Sequence, residues 1–446
     1  MDIISFLVQV KDFLLGWPLI IYIMSVALIC TAALYFVQFR YFFRSWKFTL
    51  FPEKPAKNIS KEQIDMTPFQ AFVNALSTSL GNGSIAGMAT AIYSGGPGAA
   101  FWVVLTGLLT MPVRYAEIFL STYFREKTTE KSAIGGPMLY LKSIIGGKYL
   151  SWFYAFACLL YGLIVGCAMQ TNSIHLSAVT TWDVHPLLGA VIITAFVAYV
   201  VMGGAPRVVK VSNKIVPLKV ILFFGSAAII LIWHFAAIPA ALKIIFQSAF
   251  APKAMVGGAI GFTVQQAIRF GMIRNINATE SGLGTAAIFF GATGSKKPVE
   301  SGIMSMLITF TSTLVCFLIC LCIVASGVWD SGLTSTALTI AAYKTVFGAF
   351  AGWLVSFLSI TFGIGVVVGF VYVSKECWLF LTKKRFGNIF NIIFCAVAFA
   401  GALAKVDLIW DTGDIINASM LVVNLFGIMY LLPLIRAKLS EYMKKS

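Results

Sequence analysis

The chain predicts an all-α integral membrane protein with eleven transmembrane helices. Three observations carry this reading. Its 446 residues are 59% apolar and only 11% charged, and a mean hydropathy of +0.89 leaves too few polar groups to cover a water-facing surface. Apolar runs of ~20 residues, each enough to cross a hydrocarbon core of ~30 Å, recur along the chain, as at 18–39, 149–169 and 214–235. Lysines and arginines gather in every second connection between the runs, the pattern that sets membrane orientation. The net charge of +16 therefore reports topology and not a nucleic-acid partner.

Glycine, proline and charge punctuate the spans in order. The first covers 17–39, opening at Pro18 and closing at Arg40; the mixed charges Asp2, Lys11 and Asp12, with no A-x-A-like site behind the first apolar run, make it a retained helix and not a cleaved leader. Pro68 opens the second, 68–94, and Gly95-Gly96-Pro97 separates it from the third, 97–122. The fourth, 149–173, follows Lys148, and the fifth, 186–203, lies between Pro186 and Gly203-Gly204. Next come 214–236, 255–290 and 299–327, the last beginning behind Pro298. Lys375 closes the ninth, 348–374; the tenth and eleventh are 389–405 and 413–435, with Arg436 beyond.

Charge tests this count independently of hydropathy. One set of connections holds Arg40, Arg44, Lys47, Lys54, Lys57 and Lys61, then Arg125, Lys127, Lys131, Lys142 and Lys148, then Arg207, Lys210, Lys214 and Lys219. Lys296 and Lys297, then Lys375, Lys383, Lys384 and Arg385, and finally Arg436, Lys438, Lys444 and Lys445 continue it. The other side has Lys11, Lys243, Lys253, Lys344 and Lys405. The richer set is cytoplasmic, so an odd number of spans puts the N-terminus outside and the C-terminus in the cytoplasm of a cell bounded by a cytoplasmic (inner) membrane. The eight cysteines have no C-x-x-C spacing, and His175, His185 and His234 are scattered, so no metal site is expected.

The order of elements repeats. The second and seventh spans are long and interrupted at mid-length by glycine and polar residues: Gly81-Asn82-Gly83-Ser84 in one, Gly271 to Gly284 in the other. Each is followed by a full span, a short amphipathic stretch (Gly135 to Gly146; Ser335 to Phe347) and three further spans. The reading is a single transmembrane domain over 1–446, with an extra first helix and cytoplasmic loop in 1–67, repeat 1 in 68–236 and repeat 2 in 255–435. Five is odd, so the second repeat enters from the opposite face. Paired interruptions in inverted repeats mark a solute site.

Backbone groups left unbonded in hydrocarbon cost several kcal/mol each, so an unwound segment persists where it lines a polar cavity. The second span runs outward, ending its first half near Leu80 with free carbonyls, which suit a cation. Its second half starts near Ser84 with free N–H groups, which suit a carboxylate. Gly83-x-x-x-Gly87, with Ala86, Ala89 and Ala91, is also a small-residue packing face; that explains the stretch after Ser84 but not Asn82 or the Gly81–Gly83 pair. Arg269, Arg274 and Glu280 stand in the seventh span, where two arginines at the bilayer centre would cost roughly 5–7 kcal/mol. They face a cavity, pair with acids or lie toward an edge. Arg114 and Glu117, three apart, read as an internal structural pair, and Gln170 beside Asn172 as inter-helix glue or site. No nucleophile, base and orienter recur at useful spacing, so an enzyme is not expected. A channel would need a continuous polar lining, whereas these polar residues gather at two interruptions.

The run Gly81 to Ile92 followed by Gly95-Gly96-Pro97-Gly98 resembles the signature of the sodium:alanine (alanine or glycine:cation) symporter family. So do Tyr115-Ala116-Glu117, Gly135-Gly136-Pro137-Met138, Gln170-Thr171-Asn172-Ser173, Glu280-Ser281-Gly282-Leu283-Gly284, and Trp410-Asp411 with Asp414. The resemblance implies a leucine-transporter-like fold and symport of a small neutral amino acid with a monovalent cation, Na+ or H+, in a lipid bilayer. It implies no other cofactor, no nucleic acid and no obligate protein partner. It places substrate against Asn82, Gly83, Ser84, Gln170, Thr279, Glu280 and Phe370, and the cation at Ser77, Leu80 and Gly365. The chain also departs from the family. Asn82-Gly83-Ser84 stands for Thr-Gly-Asn, Thr279-Glu280-Ser281-Gly282 for Asn-Glu-Ala-Gly, and Ser312 for aspartate. Gly365 and Val366 replace a hydroxyl pair, and Phe370 a tryptophan. Val366 has no oxygen with which to ligate sodium, and the smaller Phe370 predicts a substrate somewhat larger than alanine. A channel-like protein or a non-transporting sensor on the same fold is the alternative.

Overall fold

The computed structural model describes residues 16–51, 65–127, 133–250, 263–293, 295–404 and 406–445, with side chains left out at 126–127, 133–134 and 405–411. Lys11, Lys54, Lys57, Lys61, Lys131, Lys253 and Lys405 of the charge pattern, and the side chains of Lys127, Trp410 and Asp411, lie outside the described residues.

Within them the chain is helical, apart from a two-residue antiparallel pair, β1 (Glu126–Lys127) with β2 (Ala133–Ile134). The helices of the first part are α1 (Trp17–Ala33), α2 (Phe42–Leu50), α3 (Pro68–Ser79), α4 (Met88–Gly95) and α5 (Ala99–Tyr123). Next come α6 (Gly147–Leu163), α7 (Met169–Trp182), α8 (Pro186–Met202), α9 (Gly204–Trp233) and α10 (Ile238–Phe250). The rest are α11 (Val264–Thr279), α12 (Thr285–Gly291), α13 (Pro298–Ala325), α14 (Ser335–Phe347), α15 (Ala351–Leu381), α16 (Gly387–Leu403) and α17 (Val406–Lys445).

Among the described residues, six helical stretches are long and apolar enough to cross a membrane: 99–123, 147–182, 204–233, 298–325, 335–381 and 412–445. Shorter apolar helices, α1, α8 and α16, lie where crossings were also expected. Outward faces leave Ile192, Ile221, Ile232 and Trp233 exposed, as a lipid-facing surface requires. Some ends differ from the hydropathy reading. The first helix stops at Ala33 because Tyr35 and Phe36 turn left-handed (φ 56° and 55°). Helix α10, which hydropathy did not separate, packs Phe246 and Phe250 on Phe101 of α5. Lys243 therefore lies on a helix and not in a loop.

The second and seventh spans are broken, as their glycines predict. Helix α3 ends at Ser79, Leu80 leaves helical geometry (ψ 77°), and the chain resumes as a wide turn over Gly83–Gly87 that runs into α4. Helix α11 ends at Thr279. Glu280, Gly282 and Gly284 then take positive φ (54°, 94° and 81°) before α12 starts. Positive φ is free for glycine but disfavoured for glutamate, so surrounding contacts hold Glu280 there. Both broken helices open with the same reciprocal cap: Thr67 with Gln70, and Thr263 with Gln266. They lie side by side in opposite directions. Gly95 at the end of α4 meets the start of α11, where an added Cβ would come 3.1 Å from the Gln266 carbonyl oxygen, and Met66 before α3 bridges to Thr293 beyond α12.

Candidate functional site

A cavity of about 50 Å³ lies between the two breaks. A single water needs ~10–15 Å³, so the space suits a small solute. Its walls hold both signs of charge. Gly81, Gly83 and Ser84 come from the first break and Glu280 from the second, with Asn277 and Arg274 about one and two turns before it on α11; Asp414 and Asn417 come from α17. Thr78, Ser79, Gln170 and Tyr161 add to the polar part, while Val165, Met169, Val366 and Phe370 make an apolar wall. The Phe370 ring stands edge-on to Tyr161, centroids 5.6 Å apart. Asn417 Nδ2 donates to Asn277 Oδ1 at 2.7 Å, and Thr285 Oγ1 donates to the Glu280 carboxylate at 2.7 Å.

Five of the seven expected substrate residues line this space: Gly83, Ser84, Gln170, Glu280 and Phe370. Asn82 and Thr279 do not. The Asn82 side chain turns behind the wall, donating to Gln170 Oε1 (3.3 Å) and accepting from Ser359 Oγ (2.9 Å). It positions Gln170 instead of facing the cavity. The Thr279 carbonyl is taken by Arg114 Nη2 at 2.6 Å, and the residue, its hydroxyl buried, is not part of the lining.

The expected cation residues converge, but a charge already stands among them. Lys219 of α9 is fully buried, and its Nζ donates to the carbonyl oxygens of Ser77 and Leu80, each at 2.8 Å. Ser77 Oγ donates to the Gly365 carbonyl at 2.9 Å. A Cβ on Gly365 would come 2.5 Å from Lys219 Nζ and 2.8 Å from Ser77 Oγ, so a side chain there would push the ammonium from this position. Counting Lys219 among cytoplasmic loop charges is thereby corrected: it lies within α9 and reaches inward to the first break.

The second break is held from α5. Arg114 Nη1 pairs with Glu117 Oε2 at 3.1 Å with both side chains fully buried. Arg114 caps the last carbonyl of α11, that of Thr279, and Glu117 Oε1 accepts from the Gly284 N–H (2.9 Å) at the start of α12 and from Asn424 Nδ2 (2.8 Å). Groups that a continuous helix would pair internally are thus paired by a side-chain ion pair.

The sequence profile of the sodium:alanine symporter family matches residues 1–446. The chain belongs to the sodium:alanine symporter family. An uncharacterized transporter of Haemophilus influenzae is 32% identical over 100% of this chain and 97% of its own length. The sodium/alanine symporter AgcS of Methanococcus maripaludis is 30% identical, covering 97% of this chain and 95% of its own. Among solved structures, a sodium-coupled sialic acid symporter in a substrate-bound outward-open state matches with a TM-score of 0.57 at 15% identity, over 94% of this chain and 86% of that one. That likeness supports a transporter fold.

As a member of the sodium:alanine symporter family, the chain is a multi-pass membrane protein of a transporter family. Several lining residues of this candidate site escaped sequence reasoning. Tyr161, Asn277 and Asn417 carry no local signal, and only their shared face onto the breaks reveals them. Lys219 did carry one: it falls inside the apolar run 214–236, where a charge is expensive and needs a partner.

Proposed function

We propose that the chain carries a small neutral amino acid across the cytoplasmic membrane in symport with a monovalent cation. The cavity between the two breaks carries this reading, because it offers a zwitterion both of the partners it needs. The N–H groups at the first break and Arg274 suit the carboxylate; Glu280 and Asp414 suit the ammonium. Phe370, Val366 and Met169 leave an apolar pocket for a short side chain. The resemblance to a sodium/alanine symporter points to the same substrate class.

In this reading eleven helices cross the bilayer, and 68–236 and 255–435 are inverted five-helix repeats behind the first helix. The opposed directions of the two broken helices and their matching caps support it. A cleft where Arg125, Lys296, Lys297, Lys438 and Lys445 outnumber Glu300 and Glu441 supports a cytoplasmic C-terminal end for α17, and an odd number of crossings then has the N-terminus outside in this reading.

Labelled alanine, glycine and larger neutral amino acids, presented to proteoliposomes holding the purified chain, test the proposal. Saturable uptake with counterflow is expected. An ohmic substrate current without counterflow would make the protein a channel, and binding without movement would make it a sensor.

A further inference from the structure

We infer that the ammonium of Lys219 is itself the cation at the first break, so that a proton on this amine, and not sodium, is the coupling ion of the transport proposed above, on which this inference rests. The geometry gives the reason. In a continuous helix the Leu80 carbonyl would accept from the N–H of Ser84, but that N–H turns to the Gly81 oxygen at 3.0 Å. The break therefore frees carbonyl oxygens that a positive charge can use. Lys219 Nζ takes those of Ser77 and Leu80, and the Phe362 ring lies 5.4 Å from it.

Little oxygen remains there for a metal ion. Gly365 contributes no side chain, its carbonyl already accepts from Ser77 Oγ, and Val366 is apolar. A sodium ion among the same carbonyls would meet a like charge at a fully buried position.

The two carbonyls serve either protonation state, since –NH3+ offers three donors and the neutral amine two. Lysine is the basic side chain that gives up its proton readily when buried, which arginine does not do. Lys219 takes its proton from water on the outer side while the cavity opens there, and releases it to the cytoplasm after the change of access.

Titratable neighbours are few. Glu280 acts on Lys219 from the second break, with Arg114 and Glu117 behind it. Helix α3 presents none. On α15 the nearest is Tyr372, seven residues beyond Gly365 toward the cytoplasmic end, followed by Lys375, Glu376 and Cys377. The other packed elements carry Tyr199 on α8, Cys316, Cys320 and Cys322 on α13 with Glu300 at its first turn, and on α14 Tyr343, which bonds Ser226, with Lys344 at its last turn. Binding of the substrate ammonium beside Glu280 alters the field at Lys219, which links the two sites.

The test uses the intact chain in proteoliposomes with labelled alanine and glycine. Counterflow is measured first: its absence overturns the transport reading and this inference with it. With counterflow present, an inward pH gradient is expected to drive accumulation of roughly tenfold per pH unit at one proton per substrate, unchanged when sodium is replaced by choline. Substrate-dependent acidification of the vesicle lumen, read by a trapped dye, is expected from the unaltered protein. Accumulation driven by a sodium gradient at clamped pH, or uptake without proton entry, would overturn the inference while leaving transport standing. Lys219→Arg keeps a donor at the carbonyls but holds its charge. Its accumulation ratio is expected to fall to unity, with residual exchange equal at acidic and alkaline pH. If K219R accumulates like the unaltered protein, Lys219 is a structural cap only.

Discussion

Arg114 and Glu117, one turn apart on α5, hold opposite edges of the same break: the arginine takes the Thr279 carbonyl at 2.6 Å and the glutamate takes the Gly284 N–H at 2.9 Å. Removing one partner leaves a buried charge unpaired, which costs ~3–5 kcal/mol. Arg114→Met is thus expected to lower thermal stability in detergent strongly. Replacing an ordinary buried pair by apolar residues restores stability, but here Arg114→Met with Glu117→Leu would leave both edges of the break unpaired. Recovery of the melting temperature in that double variant would show that the pair does not hold the break.

Glu280 is the acid through which the second break reaches the cavity. Glu280→Gln keeps its shape and its contact with Thr285 but removes the charge offered to a substrate ammonium. Charge-assisted hydrogen bonds contribute ~1.5–3 kcal/mol, so KM for labelled alanine is expected to rise roughly 10- to 100-fold with little change in melting temperature. An unchanged KM would remove Glu280 from the substrate site.

Phe370 packs its ring against Gly166, where an added Cβ would come 2.2 Å from it. Phe370→Leu removes volume from a fully buried ring and widens the apolar wall. Larger neutral amino acids are expected to compete better against labelled alanine in this variant. Gly166→Ala pushes the ring into the cavity and is expected to exclude the larger competitors first. Identical competition profiles in both variants would mean that the ring does not set substrate size.

Orientation can be read with a membrane-impermeant maleimide on intact cells. Phe235 lies exposed beyond α9 and Glu441 is exposed near the end of α17, while the native cysteines are buried or half-buried. Phe235→Cys is expected to label from outside, and Glu441→Cys only after the cells are opened. The reverse pattern would invert the topology.

Much of this molecule is local and therefore legible in the chain. Apolar runs make helices wherever lipid is the solvent, and the Gly81–Ser84 and Glu280–Gly284 clusters end α3 and α11 because glycine releases the backbone and polar groups cannot stay in a lipid-facing helix. Glu280 stands in the second break by sequence alone, whereas Gln170 and Phe370 come to the breaks only through the family resemblance; all three line the cavity. The same resemblance groups Ser77 and Gly365 with Leu80, but does not say what fills the place. Only the packing of α9 against α3 and α15 puts Lys219 Nζ 2.8 Å from two carbonyls more than a hundred residues away in sequence. Periodicity and spacing describe neighbours along a helix, and carry no distance between helices. The chain by itself settled where its backbone would come apart in the bilayer; the tertiary fold decided which charges stand at the gaps, because that depends on side chains meeting across separate helices.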